Sequence, residues 1–144
     1  MGNLTRTIID TQAGYNLTAL PAENTSVQSA TIDLQQAPSL LAGAGTSVAE
    51  DIQISMSLPA IAANTVAAQS VTGTLQDSAD GITFANVAGA PVLTATSVAV
   101  TGSVAVTLTF IPPLTIRRYL QVTWAVSATA GNLTASSGQF NLAF

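Results

Sequence analysis

Apolar and polar residues alternate with a period of two along most of the chain. Ile52, Ile54, Met56 and Leu58 are separated by Gln53, Ser55 and Ser57, and the run stops at Pro59. Successive side chains of an extended chain point to opposite faces, so this pattern predicts a strand with one face on a core and the other in solvent. Ala30, Ile32 and Leu34 repeat it against Thr31 and Asp33, up to the stretch 36–38. A third strand is expected over 69–76. The segment Asp77-Ser78-Ala79-Asp80-Gly81 then reads as a turn, because short Asx and Ser side chains bond local backbone and glycine tolerates positive φ. Extended structure is expected to resume over 82–84.

Val98 and Val100 lead into Thr101-Gly102-Ser103, after which Val104, Val106, Leu108 and Phe110 alternate with Ala105, Thr107 and Thr109. This predicts a hairpin closed at the glycine and ended by Pro112-Pro113, which have no N–H to give to a ladder. The longest alternation follows. Ile116, Arg118, Leu120, Val122, Trp124 and Val126 share one face, and Arg117, Tyr119, Gln121, Thr123, Ala125 and Ser127 the other. Trp124 is the expected core anchor, since burial of an indole contributes more than that of any other side chain here. Phe140, Leu142 and Phe144 place a final strand at the end of the chain.

Short strands separated by turn signals, with almost no helical periodicity, predict an all-β fold: an antiparallel β-sandwich, jelly-roll-like. Residues 26–144 are expected to form this single domain. Ile8, Ile9, Tyr15, Leu17 and Leu20 follow no clean period, so residues 1–25 read as an extended N-terminal arm that orders by packing on its own domain or a neighbour. Deletion of that arm is expected to leave the sandwich folded.

Composition narrows the function more than the fold. The 144 residues include three basic side chains, Arg6, Arg117 and Arg118, with no lysine, histidine or cysteine. Charged residues make up 7% and hydrophobic ones 48%, with a mean hydropathy of +0.48. Apolar runs are broken well short of the roughly 18 residues a membrane-spanning helix needs, so no membrane span is expected. The first six residues lack the basic and apolar regions of a secretory signal, and Arg6 stands where a myristoylation pattern wants Ser or Thr. The net charge of −4 argues against nucleic acid, whose phosphates are bound mainly by Lys and Arg. A neutral, apolar-rich surface invites association, because like-charge repulsion is what keeps most proteins apart. Cover by other subunits is therefore expected.

Catalysis has little material. Without histidine or lysine no ordinary general base is present, and serine without a base is a poor nucleophile. The seven carboxylates, Asp10, Glu23, Asp33, Glu50, Asp51, Asp77 and Asp80, suggest no cleft that would bring an acid pair together. The chain is thus not expected to be an enzyme, to need a cofactor or to ligate a metal. Asp77, Ser78, Asp80 and Gly81 miss the EF-hand spacing, and an Asx-stabilised turn is the simpler account. Four Asn-x-Ser/Thr triplets, at Asn3, Asn16, Asn24 and Asn132, arise readily in so Thr- and Ser-rich a chain. Arg117-Arg118-Tyr119 is the most pointed polar feature. Alternation sends Arg118 toward the face of Leu120 and Trp124, where it must either pair with Asp33, Asp77, Asp80 or a neighbouring subunit, or snorkel to water at the rim.

Three segments carry a family resemblance: Ala30-Thr31-Ile32-Asp33-Leu34; Leu75-Gln76-Asp77-Ser78-Ala79-Asp80-Gly81-Ile82-Thr83-Phe84; and Pro113-Leu114-Thr115-Ile116-Arg117-Arg118-Tyr119-Leu120-Gln121-Val122. With them the chain resembles the small capsid cement, or decoration, proteins of tailed double-stranded-DNA phages, of the jelly-roll type. The resemblance implies a homotrimeric structural protein on the outer surface of the virion capsid, tying major capsid protein subunits together. Ile8, Ile9, Tyr15, Leu17, Leu20, Arg117, Arg118 and Tyr119 are the candidate interface residues. The rival expectation is a ligand-binding β-sandwich of the carbohydrate-binding or adhesin kind, which would need exposed aromatic rings.

Overall fold

The structure, a computed structural model, describes residues 16–34, 52–61, 69–97, 102–127 and 133–143. These contain ten strands: β1 Asn16–Ala19, β2 Ser26–Gln28, β3 Ile32–Asp33, β4 Gln53–Leu58, β5 Gln69–Ser78, β6 Ala85–Asn86, β7 Leu93–Ser97, β8 Val106–Phe110, β9 Tyr119–Val126 and β10 Ser137–Ala143. Alternation does what it predicts. Ile52, Ile54, Met56 and Leu58 are buried, as are Leu120, Val122, Trp124 and Val126. Pro59 follows the last residue of β4, and the Pro112-Pro113 pair follows β8 after one residue.

The strands form two antiparallel sheets, one in the order β1-β10-β4-β8, the other β2-β9-β5-β6 with β3 also on β9 and β7 also on β5. β2 and β3 act as one interrupted strand: between them Ser29 N–H donates to Val122 O and the Ser29 hydroxyl accepts from Val122 N–H. β6 and β7 likewise share β5, with Val87 N–H bonded to Leu75 O between them. The ten segments thus reduce to eight strands that switch sheet at every step except between the fourth and fifth, which is the jelly-roll arrangement of a two-sheet sandwich.

Trp124 holds the two layers together. Its indole is fully buried and lies against two glycines, Gly73 beside it on β5 and Gly138 on β10 of the facing sheet. A Cβ at either position would stand 2.5 Å from a ring carbon, so glycine is required there for space. Phe140, Met56, Leu75 and Leu93 fill the core around the ring.

The structure differs from the alternation reading in several respects. Ala30, expected on the core face with Ile32 and Leu34, is exposed, and the strand there spans only Ile32–Asp33. Val104, expected on the face of Val106 and Leu108, is exposed ahead of β8. β7 and β8 do not form a hairpin: β7 pairs with β5 in one sheet and β8 with β4 in the other, so the chain crosses the core between them. Val98 and Val100 lie outside the described residues. Residues 82 and 83 bend instead of extending, because Ile82 N–H and Thr83 N–H both donate to the Asp80 carboxylate and are lost to any ladder. The strand before that turn runs on to Ser78, and the next begins at Ala85. Residues 16–25 also belong to the sandwich. β1 is an edge strand on β10, and Leu20 is a core residue whose N–H bonds Ser136 O. Residues 1–15, with Ile8, Ile9 and Tyr15, lie outside the described residues.

Candidate functional site

The polar chemistry gathers at one end of the six-stranded sheet. Register aligns Asp33, Tyr119 and Ser78 in one row and Ile32, Leu120 and Asp77 in the next. The 79–84 turn leaves that row at Ser78, and the 111–118 loop enters it at Tyr119. The Asp77 carboxylate, nearly buried, accepts from Arg117 N–H at 2.9 Å and from Arg117 Nε at 2.8 Å, while Arg117 Nη2 also donates to the Asp77 carbonyl at 2.9 Å. One carboxylate on β5 therefore anchors both the backbone and the guanidinium of the loop before β9.

Arg118 makes a fork-to-fork pair with Asp33, Nε to Oδ1 at 2.8 Å and Nη2 to Oδ2 at 2.7 Å. Its guanidinium carbon sits 4.7 Å from the centre of the Tyr119 ring, a cation–π distance. Of the alternatives for Arg118, pairing with Asp33 at the exposed rim is the one realised, since β9 begins only at Tyr119. Hydrogen bonding to the carboxylates raises both guanidinium pKa values, so both stay charged.

The 79–84 turn is built as its residue types suggest. Ser78 Oγ donates to Asp80 Oδ1 at 2.7 Å and accepts from Gly81 N–H, and Gly81 takes φ 73°. Bonds from Thr83 N–H, then Ile82 N–H and the Ser78 hydroxyl, lower the Asp80 pKa from 3.8 to about 2. Gly81 lies over the Tyr119 ring, where a Cβ would make ordinary contact at 3.5 Å. The oxygens that suggested a cation site are thus engaged, Asp77 by an arginine and Asp80 by the turn itself. Among the described residues no three carboxylates, histidines or cysteines gather as metal ligands.

Away from that end, the described strands of both sheets turn neutral faces outward. Not one residue of β1, β10, β4 or β8 is charged. A hollow of about 250 Å³ lies on that sheet among Ser57, Pro59, Thr107, Ser137 and Gln139, and Ser57 donates to Gln139 Oε1 within it. On the other sheet Gln76 Oε1 accepts from Gln121 Nε2 and Thr123 Oγ1, while Gln76 Nε2 donates to Asn86.

The candidate residues separate accordingly. Arg117, Arg118 and Tyr119 come together, Leu17 is 59% exposed on edge strand β1 of the other sheet, and Leu20 is sealed in the core and unavailable as a contact. Alternation missed three exposed aliphatic side chains at the polar end: Ile82 at 84%, Ile111 at 64% and Leu114 at 64%. Their signal was an apolar residue beside turn-forming glycine or proline, where no strand face exists to bury it. No curated protein matches this sequence. The Bbp16 family model matches residues 18–141, from within β1 to within β10.

Proposed function

The chain belongs to the Bbp16 family, and we propose that it is a structural virion protein: a capsid cement, or decoration, protein that binds the outer capsid surface between major capsid protein subunits and stabilises the head. The observation that carries this reading is that, among the described residues, all four strands of one sheet of the sandwich, its edge strands included, carry no charge. Free edge strands normally carry lysine, proline or a bulge against unwanted pairing, and large neutral surfaces favour association. β1 and β8 have no charge or proline within them, and Leu17, Val104 and Ile111 stand exposed on or beside them. Such a surface suits a protein covered by sister copies, three in the proposed trimer, and by a protein shell. Trp124 and Phe140, two of the few rings a sugar-binding module could use, are spent in the core.

In this role the chain acts by multivalency. Several modest contacts from one trimer to adjacent capsid subunits add to a firm clamp without any one being strong. The test is native mass in solution, followed by co-sedimentation with empty phage heads and measurement of head stability. A trimer that co-sediments and raises the temperature of head disruption supports the proposal; a monomer at high concentration that ignores heads overturns it.

A further inference from the structure

Beyond the cement reading, we propose that β8 is a contact between copies of this chain: the β8 strands of two copies pair antiparallel about a two-fold axis, with Leu108 opposite Leu108. A two-fold contact cannot close a ring of three, so in the proposed trimer it joins a copy in one trimer to a copy in the next.

β8 is an outer strand of the four-stranded sheet, and among the described residues it pairs with β4 alone. Its other side therefore offers N–H and C=O groups that an extended chain can bond. Val106, Leu108 and Phe110 pack against the core from the inner face yet stay half-buried, whereas Leu58, Met56 and Ile54, opposite them on β4, are at most 1% exposed. The core thus runs out at β8. Thr107 and Thr109, on the outer face, are exposed, and no residue of the strand is charged. A strand that completes this edge must be apolar on its inner face and neutral on its outer one.

Comparison of the edge strands identifies the occupant. β1 turns Asn16 and Thr18 inward, in register with Phe140 and Gly138, so against β8 it would set an amide and a hydroxyl beside Leu108. On the other sheet β2 supplies Val27 alone to the inner face, β3 carries charged Asp33, and β7 supplies Leu93 and the small Ala95. β8 matches itself better than any of these. With Leu108 opposite Leu108, Val106 meets Phe110 and Thr107 meets Thr109, each pair occurring twice, and apolar–apolar and Thr–Thr pairs both stabilise neighbouring strands. Ala105 falls opposite Ile111, a side chain 64% exposed in the single chain. Pro112, with no N–H, then stops the ladder alike at both ends.

The experiment is native mass and sedimentation of the full chain over a range of concentrations, without heads, with thermal melting to confirm the fold of each variant. Thr107→Lys/Thr109→Lys sets lysine opposite lysine twice across the axis. It is expected to lower the association constant between copies by on the order of tenfold or more and to halve the assembly. Thr107→Glu/Thr109→Glu should do the same, whereas Thr107→Lys/Thr109→Glu sets each lysine against a glutamate and should keep the parent's mass. A folded lysine-pair variant with the mass of the parent overturns the contact, as does a parent that never reaches twice the mass of that variant. Equal separation by the Lys/Glu variant overturns the register. A parent of two chains that the lysine pair splits into monomers supports the contact and overturns the trimer. None of these readouts involves heads, so the cement reading stands or falls separately, by co-sedimentation.

Discussion

Trp124 shows how much one residue can organise. It is enclosed from both layers, and its Nε1 is buried without a hydrogen-bond partner in the structure. Replacement by alanine is expected to cost about 3–5 kcal/mol in a denaturant melt. Trp124→Phe should cost distinctly less, because it also removes the unsatisfied donor. Gly138→Ala is expected to cost about 1–3 kcal/mol by overpacking. Combined with Trp124→Phe it should cost less than the sum, a coupling that a double-mutant cycle would read directly. Asp80 gives a prediction in pH. Its pKa in the fold, about 2, lies below its ordinary 3.8, so its stabilising effect is complete above about pH 4 and is lost as pH falls toward 2. Asp80→Asn can still accept from Ile82 and Thr83 but does not titrate, and should flatten the acid limb of the stability curve in that window.

At the scale of elements, β1 and the 111–118 loop make the sharpest claims. β1 supplies a full edge ladder and leads into Leu20, so the sandwich does not begin at residue 26. A truncation starting at residue 16 retains every pairing described here, whereas one starting at residue 26 removes β1 and Leu20 and should lower Tm sharply; equal melting of the two would refute this. Arg117→Ala removes the guanidinium from Asp77 but leaves the Arg117-position N–H as its donor. It should lower Tm less than Trp124→Ala and show chiefly as lost hydrogen-exchange protection in 111–118. The mistaken hairpin belongs to this scale as well. A period of two assigns each residue to a face, but β7 and β8 would alternate in the same way whether they paired or faced each other across a core.

At the scale of the molecule, the described residues are marked by where charge is absent. Among the described residues, the ionisable groups other than Glu23 sit at one end of one sheet, bonded to each other or to backbone. Attachment through neutral surfaces should therefore be nearly indifferent to ionic strength, since screening acts on charges. Release from heads by raising salt alone would contradict it.

Local chemistry determined most of the elements. Alternation marked β4, β5, β8, β9 and β10, prolines marked the ends of β4 and β8, and the Asx-Ser-Gly composition marked the 79–84 turn, because each depends on residues within a few positions of one another. The all-β class and the core position of Trp124 followed from the same source. The tertiary structure alone decided what depends on distant partners: that β7 and β8 lie in different sheets, that β1 closes an edge, that Arg117 selects Asp77 and Arg118 selects Asp33, and that Gly73 and Gly138 leave room for one indole. Strand pairing and charge pairing join residues tens of positions apart, and a one-dimensional pattern carries the propensity of each participant but not the identity of its partner.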